Sequence, residues 1–575
     1  MTTAPPLPAA RALQPRSQRT WPHPFTVFSL LLLALTAALI LYPLATILWR
    51  AFIDEEGMGV QAMLAALTRP AILNVFADTF VVVGSASAIA LVVGTSFAWL
   101  IERTDARTGL ASEFLPLVPL LVPQVSGVIG WAIMLAPEAG LVNVVLRQLL
   151  GLLGLELERG PFNVFSYVGL IGVMALYLVP YVYLTVSAGL QNLNPSLEEA
   201  ARICGAGPWR TLWRVTIPAV WPAVMNAAII VVIFGISLFS VPIVIGTTAG
   251  VDLLSVRIYR LLYTHPPRVD LAVTLAITMM VFVQLALFLQ LLLTKAQRHA
   301  VVGGKGTAPT RVRLGKVRWL ARSLIGAYLL ATAVLPVLAL VFVSLQPFWS
   351  STFNWRQFSL DNYSFVLFEN TTTAKALVNS IGLGVVGATI GMLGAAVLVL
   401  FNRGARPAAQ MVVDGVTALP ATLPHTVVAV SMVLAFTSGM LNLHGTMTIL
   451  LLANLVLVIP QAIRSARSAL AQVGNDMIEA AQMARASRFT TFRRVVVPLM
   501  LPGLMAGWVI LFVHISGELT ASALLAGTNN PVVGLVLLDL WENGSFPQLS
   551  AIALVMTVLD AIVVLAVTRG LRRSA

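Results

Sequence analysis

The chain has 575 residues, of which 58% are apolar and only 10% charged, and its mean hydropathy is +0.89. Soluble globular domains carry about 25% charged residues, so this composition excludes a set of soluble domains and puts most of the chain in lipid. The formal net charge of +13 invites nucleic acid as a partner, but the basic residues are distributed as a membrane-topology signal, and the single Cys204 excludes a disulfide framework or a cysteine metal site.

Runs of about 20 apolar residues suffice to cross about 30 Å of hydrocarbon. Twelve such runs are predicted, near 26–49, 75–101, 110–136, 165–190, 219–246 and 269–294, then 319–345, 378–401, 408–436, 446–463, 499–526 and 548–568. The leader 1–24 carries arginines like a signal peptide, but the apolar run after it continues through Leu48 without a clear cleavage site, so the first run is read as a retained span. With the N-terminus inside, the inner segments hold 27 of the 36 Lys and Arg residues and the outer segments hold 9. That bias places both termini in the cytoplasm. The densest basic stretch, within 295–318, surrounds Gly303-Gly304-Lys305-Gly306 and reads as a solvated connector.

The two halves repeat. Pro43 in the first span answers to Pro336 in the seventh; Pro119 and Pro123 in the third answer to Pro420 and Pro424 in the ninth at an offset of 301; Pro180 in the fourth answers to Pro460 in the tenth at 280. The change of offset requires about 21 fewer residues in the outer loop between the ninth and tenth spans. Six spans per half give both halves one orientation, a parallel repeat about an axis along the membrane normal. Proline removes a helix hydrogen bond, and lipid tolerates this only where protein or water lines the break, so the third and ninth spans are expected to face a shared central path.

Two polar inserts interrupt this apolar pattern on the cytoplasmic side. The first, 194–218, runs through Glu199-Ala200-Ala201 and Gly205-Ala206-Gly207 to Ile217-Pro218; the second, 475–498, runs through Glu479-Ala480-Ala481 to Val497-Pro498 at the same offset of 280. Ser196 with Glu199, and Asp476 with Glu479, have capping-box spacing, and Gly205 and Gly207 suit a helix end and a turn. Each insert is therefore predicted to be a helix–turn–helix elbow. Cys204 lies in the first where Ala484 lies in the second, a small packing position.

The spacing Glu-Ala-Ala, three residues, Gly, nine residues, aliphatic, one residue, aliphatic, Pro resembles the loop that marks permease subunits of type I ATP-binding-cassette importers. The first insert matches throughout; the second has Arg485 at the glycine position, so its turn is expected to dock differently. The resemblance covers essentially the whole chain. It implies an all-α polytopic membrane protein of 12 transmembrane helices, built as two tandem six-helix permease units (25–294 and 319–575) that follow a tail at 1–24 and are joined by the connector at 295–318. Glu199, Ala200, Ala201 and Gly205 would contact one copy of a partner ATPase, and Glu479, Ala480, Ala481 and Arg485 a second. A solute-binding protein would dock on the outer loops at 137–163, 247–268, 346–377 and 527–546, and one chain would form the path without a homodimer. The double length and the long loop between the third and fourth spans look most like the ferric-iron branch, to which Arg103-Thr104-Asp105 and Gly517-Glu518-Leu519-Thr520-Ala521 are also similar. The resemblance thus implies a bacterial inner-membrane importer for ferric iron, with a small anion such as 2-aminoethylphosphonate as the alternative cargo.

Ionisable groups within spans cost roughly 2.5–3.5 kcal/mol on insertion scales and mark candidate functional positions. His514 and Glu518 lie four apart in the eleventh span, where the first half has Phe234 and Leu238, and can line or gate the path or pair with each other. His425 follows Pro424 and answers to Gln124, so both are candidates to line the path, whereas Asp414 and Asp560 suit interhelical contacts. No His, Asp or Glu set recurs in both halves at ligand spacing, so neither a metal site nor a cofactor is expected. The chain has no Gly-x-x-x-x-Gly-Lys-Ser/Thr loop, no His-Glu-x-x-His and no Gly-x-Ser-x-Gly, so it is not expected to be an enzyme, and ATP hydrolysis falls to a partner. A rival reading, an ion-coupled secondary transporter of twelve spans, requires paired acids at mid-membrane and gives the matched elbows no purpose. A membrane scaffold or sensor leaves the elbows equally unexplained.

Overall fold

A computed structural model describes residues 24–52, 59–107, 123–297, 311–350, 355–437, 442–484 and 488–574. Among them every named element is helical, apart from an isolated parallel β-bridge between Thr104 and Val312. The first half comprises α1 (Pro24–Phe52), α2 (Gly59–Leu67), α3 (Pro70–Arg103), α4 (Gln124–Leu135), α5 (Leu141–Leu152), α6 (Tyr167–Asn192), α7 (Ser196–Ile203), α8 (Pro208–Ser237), α9 (Leu254–Tyr263) and α10 (Val269–Gln297). The second comprises α11 (Val317–Ser344), α12 (Thr371–Gly404), α13 (Pro407–Thr422), α14 (His425–Thr437), α15 (Met447–Ala471), α16 (Asn475–Met483), α17 (Arg494–Ser516), α18 (Thr520–Leu525), α19 (Val533–Glu542) and α20 (Phe546–Ser574).

Ten of these helices are long and apolar enough to cross a bilayer. The ninth expected span is not a single rod: α13 and α14 meet at 102°, and the prolines bracket the bend. Pro420 lies in a tight 3₁₀ turn, Leu419–Thr422, and Pro424 is the last residue before α14. Two prolines in five residues remove two donors, and the chain breaks where a single proline would kink it. Its first-half counterpart is α4, which follows Pro123; Pro119 lies outside the described residues. Pro43, Pro180 and Pro460 are accommodated inside continuous helices.

The extra outer residues of the first half fold into α5, which has no counterpart among the described residues of the second half. Asn143 fastens it. Its side-chain amide donates to the carbonyls of Ala136 (2.8 Å) and Phe162 (2.7 Å), and its oxygen accepts from the Phe162 N–H (3.1 Å).

The halves exchange their first spans. Helix α1 packs on α14 of the second half, and α11 packs on α4 of the first. At the first contact the Tyr42 and Phe436 rings meet edge to face with centroids 5.7 Å apart. At the second, Gly130 lets α4 approach so closely that an added Cβ would lie 2.5 Å from the Pro336 carbonyl oxygen. Two such crossed contacts bind the halves into one core.

The close approach is directly testable. Overpacking costs about 1–3 kcal/mol, so Gly130→Ala is expected to lower the thermal midpoint of the detergent-purified protein. Gly172→Ala, where nothing lies within 4 Å of the added Cβ, is expected to leave it near the wild-type value.

Candidate functional site: the two elbows and the central residues

The first elbow is α7, a turn, and the start of α8. The Asn194 side chain accepts from the Ser196 N–H at 3.1 Å, the donor that the expected capping box assigned to Glu199. Pro195 already has helical backbone angles and shifts the helix start toward Asn194. The other end closes as a Schellman motif. The Ala206 N–H reaches the Ala201 carbonyl at 3.0 Å and the Gly205 N–H reaches that of Arg202 at 2.9 Å, with Gly205 at φ +81°. A side chain is strained at that angle, which gives the motif glycine its physical reason. Pro208 then opens the second arm, which passes through a π turn at Leu212–Thr216 and enters the long helix.

In the second elbow, Ala484 N–H bonds the Ala480 carbonyl at 3.0 Å, as Cys204 N–H bonds that of Ala200 in the first. Arg485, at the glycine position, lies outside the described residues. Glu199 and Ala201 are half-buried and Ala200 is exposed; Glu479 and Ala480 are exposed and Ala481 is half-buried.

The buried carboxylate of the first elbow is Glu198, which the motif does not mark. It is 3% exposed. Its Oε2 lies 3.5 Å from Nε of Arg103, and its Oε1 accepts from the Thr216 hydroxyl at 2.6 Å. Arg103 in turn donates to the carbonyls of Leu190 (2.6 Å) and Leu193 (3.2 Å) at the end of α6. One ion pair thus ties together α3, α6 and both arms of the elbow. The second half has Ile478 and Val496 at the positions of Glu198 and Thr216. There a separate apolar cluster of Ala469, Val473, Val496 and Met500 lies beneath the elbow.

The elbows also share something that the sequence alone did not single out. Ile203 and Met483, equivalent at the 280 offset, are each 86% exposed, and Leu197 and Met477, also equivalent, are 49% and 53% exposed. Large apolar side chains exposed at matching places are candidates for a contact surface. The signal legible beforehand was the aliphatic character of both pairs, which tertiary burial could equally have absorbed.

The central candidates separate into two groups. Gln124 and His425 are the first residues of α4 and α14, each half-buried and each directly after a buried proline. The His425 and His514 rings stand edge to face with centroids 5.9 Å apart, and His514 is exposed. Glu518 does not pair with His514. Its Oε2 accepts from the backbone N–H groups of Ala521 (2.8 Å) and Ser522 (3.1 Å), so it caps α18. A carboxylate at a helix start meets both the free N–H groups and the positive end of the dipole. Asp560 accepts from the Ser516 hydroxyl at 3.0 Å, and Asp414 accepts from Asn402 at 2.8 Å and from Arg467, so both serve contacts between helices. Among the described residues no group of three or more His, Cys, Asp or Glu side chains is arranged to hold a metal ion.

The free thiol gives a probe of sidedness without mutation. Cys204 is exposed in the turn of the first elbow. A membrane-impermeant maleimide is expected to label it in inside-out vesicles and to leave it unlabelled in intact spheroplasts, read by mass shift.

Comparison with known proteins agrees with this architecture. The chain is 23% identical over 534 residues to the ferric transport system permease protein FbpB of Actinobacillus pleuropneumoniae, covering 92% of this chain and 75% of that protein. It is 24% identical over 521 residues to a putative ferric transport system permease protein, FbpB 1, of Haemophilus influenzae, covering 88% and 79%. It is 26% identical over 253 residues to the spermidine/putrescine transport system permease protein PotC of Escherichia coli K12, covering 43% of this chain and 93% of that one. Residues 25–299 and 387–573 match the family described as the inner membrane component of binding-protein-dependent transport systems. This chain, with its repeated span pattern and paired elbows, belongs to that family and is a multi-pass inner-membrane permease of an ATP-binding-cassette importer.

Proposed function

We propose that the chain is the two-lobed permease of a ferric-iron importer, with one elbow per lobe receiving one of two ATPase subunits. The observation that carries this reading is the matched pair of exposed apolar side chains on each elbow, Leu197 with Ile203 and Met477 with Met483. Beside them stand Glu199 and Glu479, on helices whose ends are fixed by backbone hydrogen bonds. A rigid polar helix with apolar knobs fits a cleft on a soluble partner and can pass a push along its axis. Gly205 shapes the first contact through its turn.

A binding protein delivers the solute at the opposite face, on the loops between spans. There the lobes meet through Tyr263, whose hydroxyl donates to the Ala523 carbonyl at 2.6 Å, and Trp349, whose indole N–H donates to that of Ala139 at 3.0 Å. ATP-driven motion of the elbows separates such contacts and opens the path between α4, α14 and their neighbours. Gln124, His425 and His514 are its polar lining, while Pro123, Pro420 and Pro424 shape the breaks where it narrows; Glu518 supports this lining by holding α18. Work is done because the solute is held differently in the two states. ATP is hydrolysed on the partner subunits. Ferric iron as the cargo rests on the two double-length relatives, both named for ferric transport.

The test is uptake of radioactive ferric iron into proteoliposomes holding this chain, its ATPase and its binding protein. Wild type is expected to accumulate iron only with ATP and binding protein present. The double variant Glu199→Ala, Glu479→Ala, inserted at the wild-type amount, is expected to lose at least about 90% of uptake, the tenfold that roughly 1.4 kcal/mol of lost coupling sets. Uptake at the wild-type rate in that variant would falsify the elbow assignment, and ATP-dependent transport of another solute with no iron uptake would overturn the cargo.

A further inference from the structure

Two short apolar helices, one in each lobe, begin directly after a buried proline, and their starts converge. Helix α4 follows Pro123 and α14 follows Pro424. The first bonds of their ladders run from the Gly127 N–H to the Pro123 carbonyl (3.2 Å) and from the Val428 N–H to the Pro424 carbonyl (3.1 Å). The N–H groups of Gln124, Val125 and Ser126, and of His425, Thr426 and Val427, come before those ladders. The outer end of α17 holds the two starts together. The His425 ring meets that of His514 with centroids 5.9 Å apart, and three residues on a Cβ added to Gly517 would lie 3.3 Å from the Pro123 Cβ. Hydroxyls without partners stand in or against both first turns. Ser126 Oγ and Thr426 Oγ1 are buried, in residues 1% and 0% exposed, and neither makes a hydrogen bond. Tyr177, 6% exposed, points its hydroxyl at Gly127, where an added Cβ would collide with it, and that hydroxyl is unpartnered too. Burying a hydroxyl unpaired is destabilising, so three of them around two matched helix starts point to a partner that comes and goes.

We propose that the starts of α4 and α14 form one site for an oxyanion, a carboxylate or phosphate-type group, so that the cargo passes between the lobes as an anion or as an anionic ferric complex. Each start carries the positive end of its helix dipole and N–H groups outside the ladder, which favour negative charge and repel a bare cation. Transporters built on broken spans present that end of a half-helix to anionic solutes. Gln124, His425 and His514 supply side-chain N–H donors, and Tyr177, Ser126 and Thr426 supply O–H donors. The carboxylates of this region are already engaged: Glu518 accepts from the N–H groups of Ala521 and Ser522, and Asp560 from the Ser516 hydroxyl. The donors present therefore grip the anion and leave any iron to be held by the anion itself. Gln124 and His425 are half-buried and His514 is exposed, so a small solute can reach them.

This inference rests on the chain being an importer permease with its path between α4 and α14, and the experiment separates the two. The full-length chain in lipid nanodiscs is heated with inorganic phosphate, citrate, ferric citrate or spermidine chloride at equal ionic strength. A ligand that binds the folded chain raises its thermal midpoint with concentration. At least one of the three anions is expected to raise the wild-type midpoint, and spermidine to leave it unchanged. Tyr177→Phe and Thr426→Val each remove only an unpaired hydroxyl. Without ligand both are expected to melt at or above the wild-type midpoint, and with the anion to need about ten times its concentration for the same gain. Ser87→Ala, which removes an equally unpaired hydroxyl on α3, is expected to keep the wild-type response. A gain from ferric citrate exceeding that from citrate supports the site and makes the ferric complex its occupant. A gain from phosphate or citrate that iron does not enlarge supports the site and makes the free anion its occupant. No anion response in wild type, a response to spermidine alone, or one gain shared by wild type and all variants, as general salt stabilisation gives, overturns the site. ATP-dependent iron uptake in proteoliposomes would then still uphold the importer reading.

Discussion

Hydrocarbon offers no hydrogen bonds, and the whole arrangement of this chain answers that constraint. A continuous helix satisfies its own backbone; a broken one must be covered by protein. The chain breaks between Thr422 and His425, and the first span of the opposite lobe packs on both sides of that break. Helix α1 lies over α14 and α11 over α4, with Gly130 clearing the space for Pro336. At the described break the Thr422 carbonyl accepts from the Gln284 side chain of the opposite lobe, so a neighbouring helix and not lipid meets the interrupted backbone.

Much of this was legible in the residues because hydropathy and proline act locally. The span positions, the parallel repeat and the two elbows all follow from periodicity, offsets and basic-residue placement. The missing outer residues of the second half were legible as a change of offset, although not as the helix α5 that they form in the first. Gly205 was legible for the same reason: its role is set by a single backbone angle.

What stayed hidden depends on contacts between distant segments. Two adjacent glutamates stand in the first elbow, and the repeat marks Glu199; yet Glu198 is the one turned inward, because Arg103 waits there from a helix end 95 residues away in sequence. Glu518 sits four residues from His514 and looks like its partner, but the start of α18 offers free N–H groups at closer range. The connector reads as solvated from its glycines and lysines, and only the fold brings Val312 alongside Arg103. In each case the local pattern was correct about residue type and silent about which neighbour would claim the side chain.

The covalent joining of the lobes has an evolutionary corollary. In a symmetric assembly of two identical permeases every substitution arrives twice, so a residue that suits one side must also suit the other. A fused chain escapes that rule: one lobe can trade an ion pair for apolar packing, and the other can trade imidazole for phenyl at the equivalent site, as His514 and Phe234 illustrate. Duplication here frees each copy to specialise against a fixed companion.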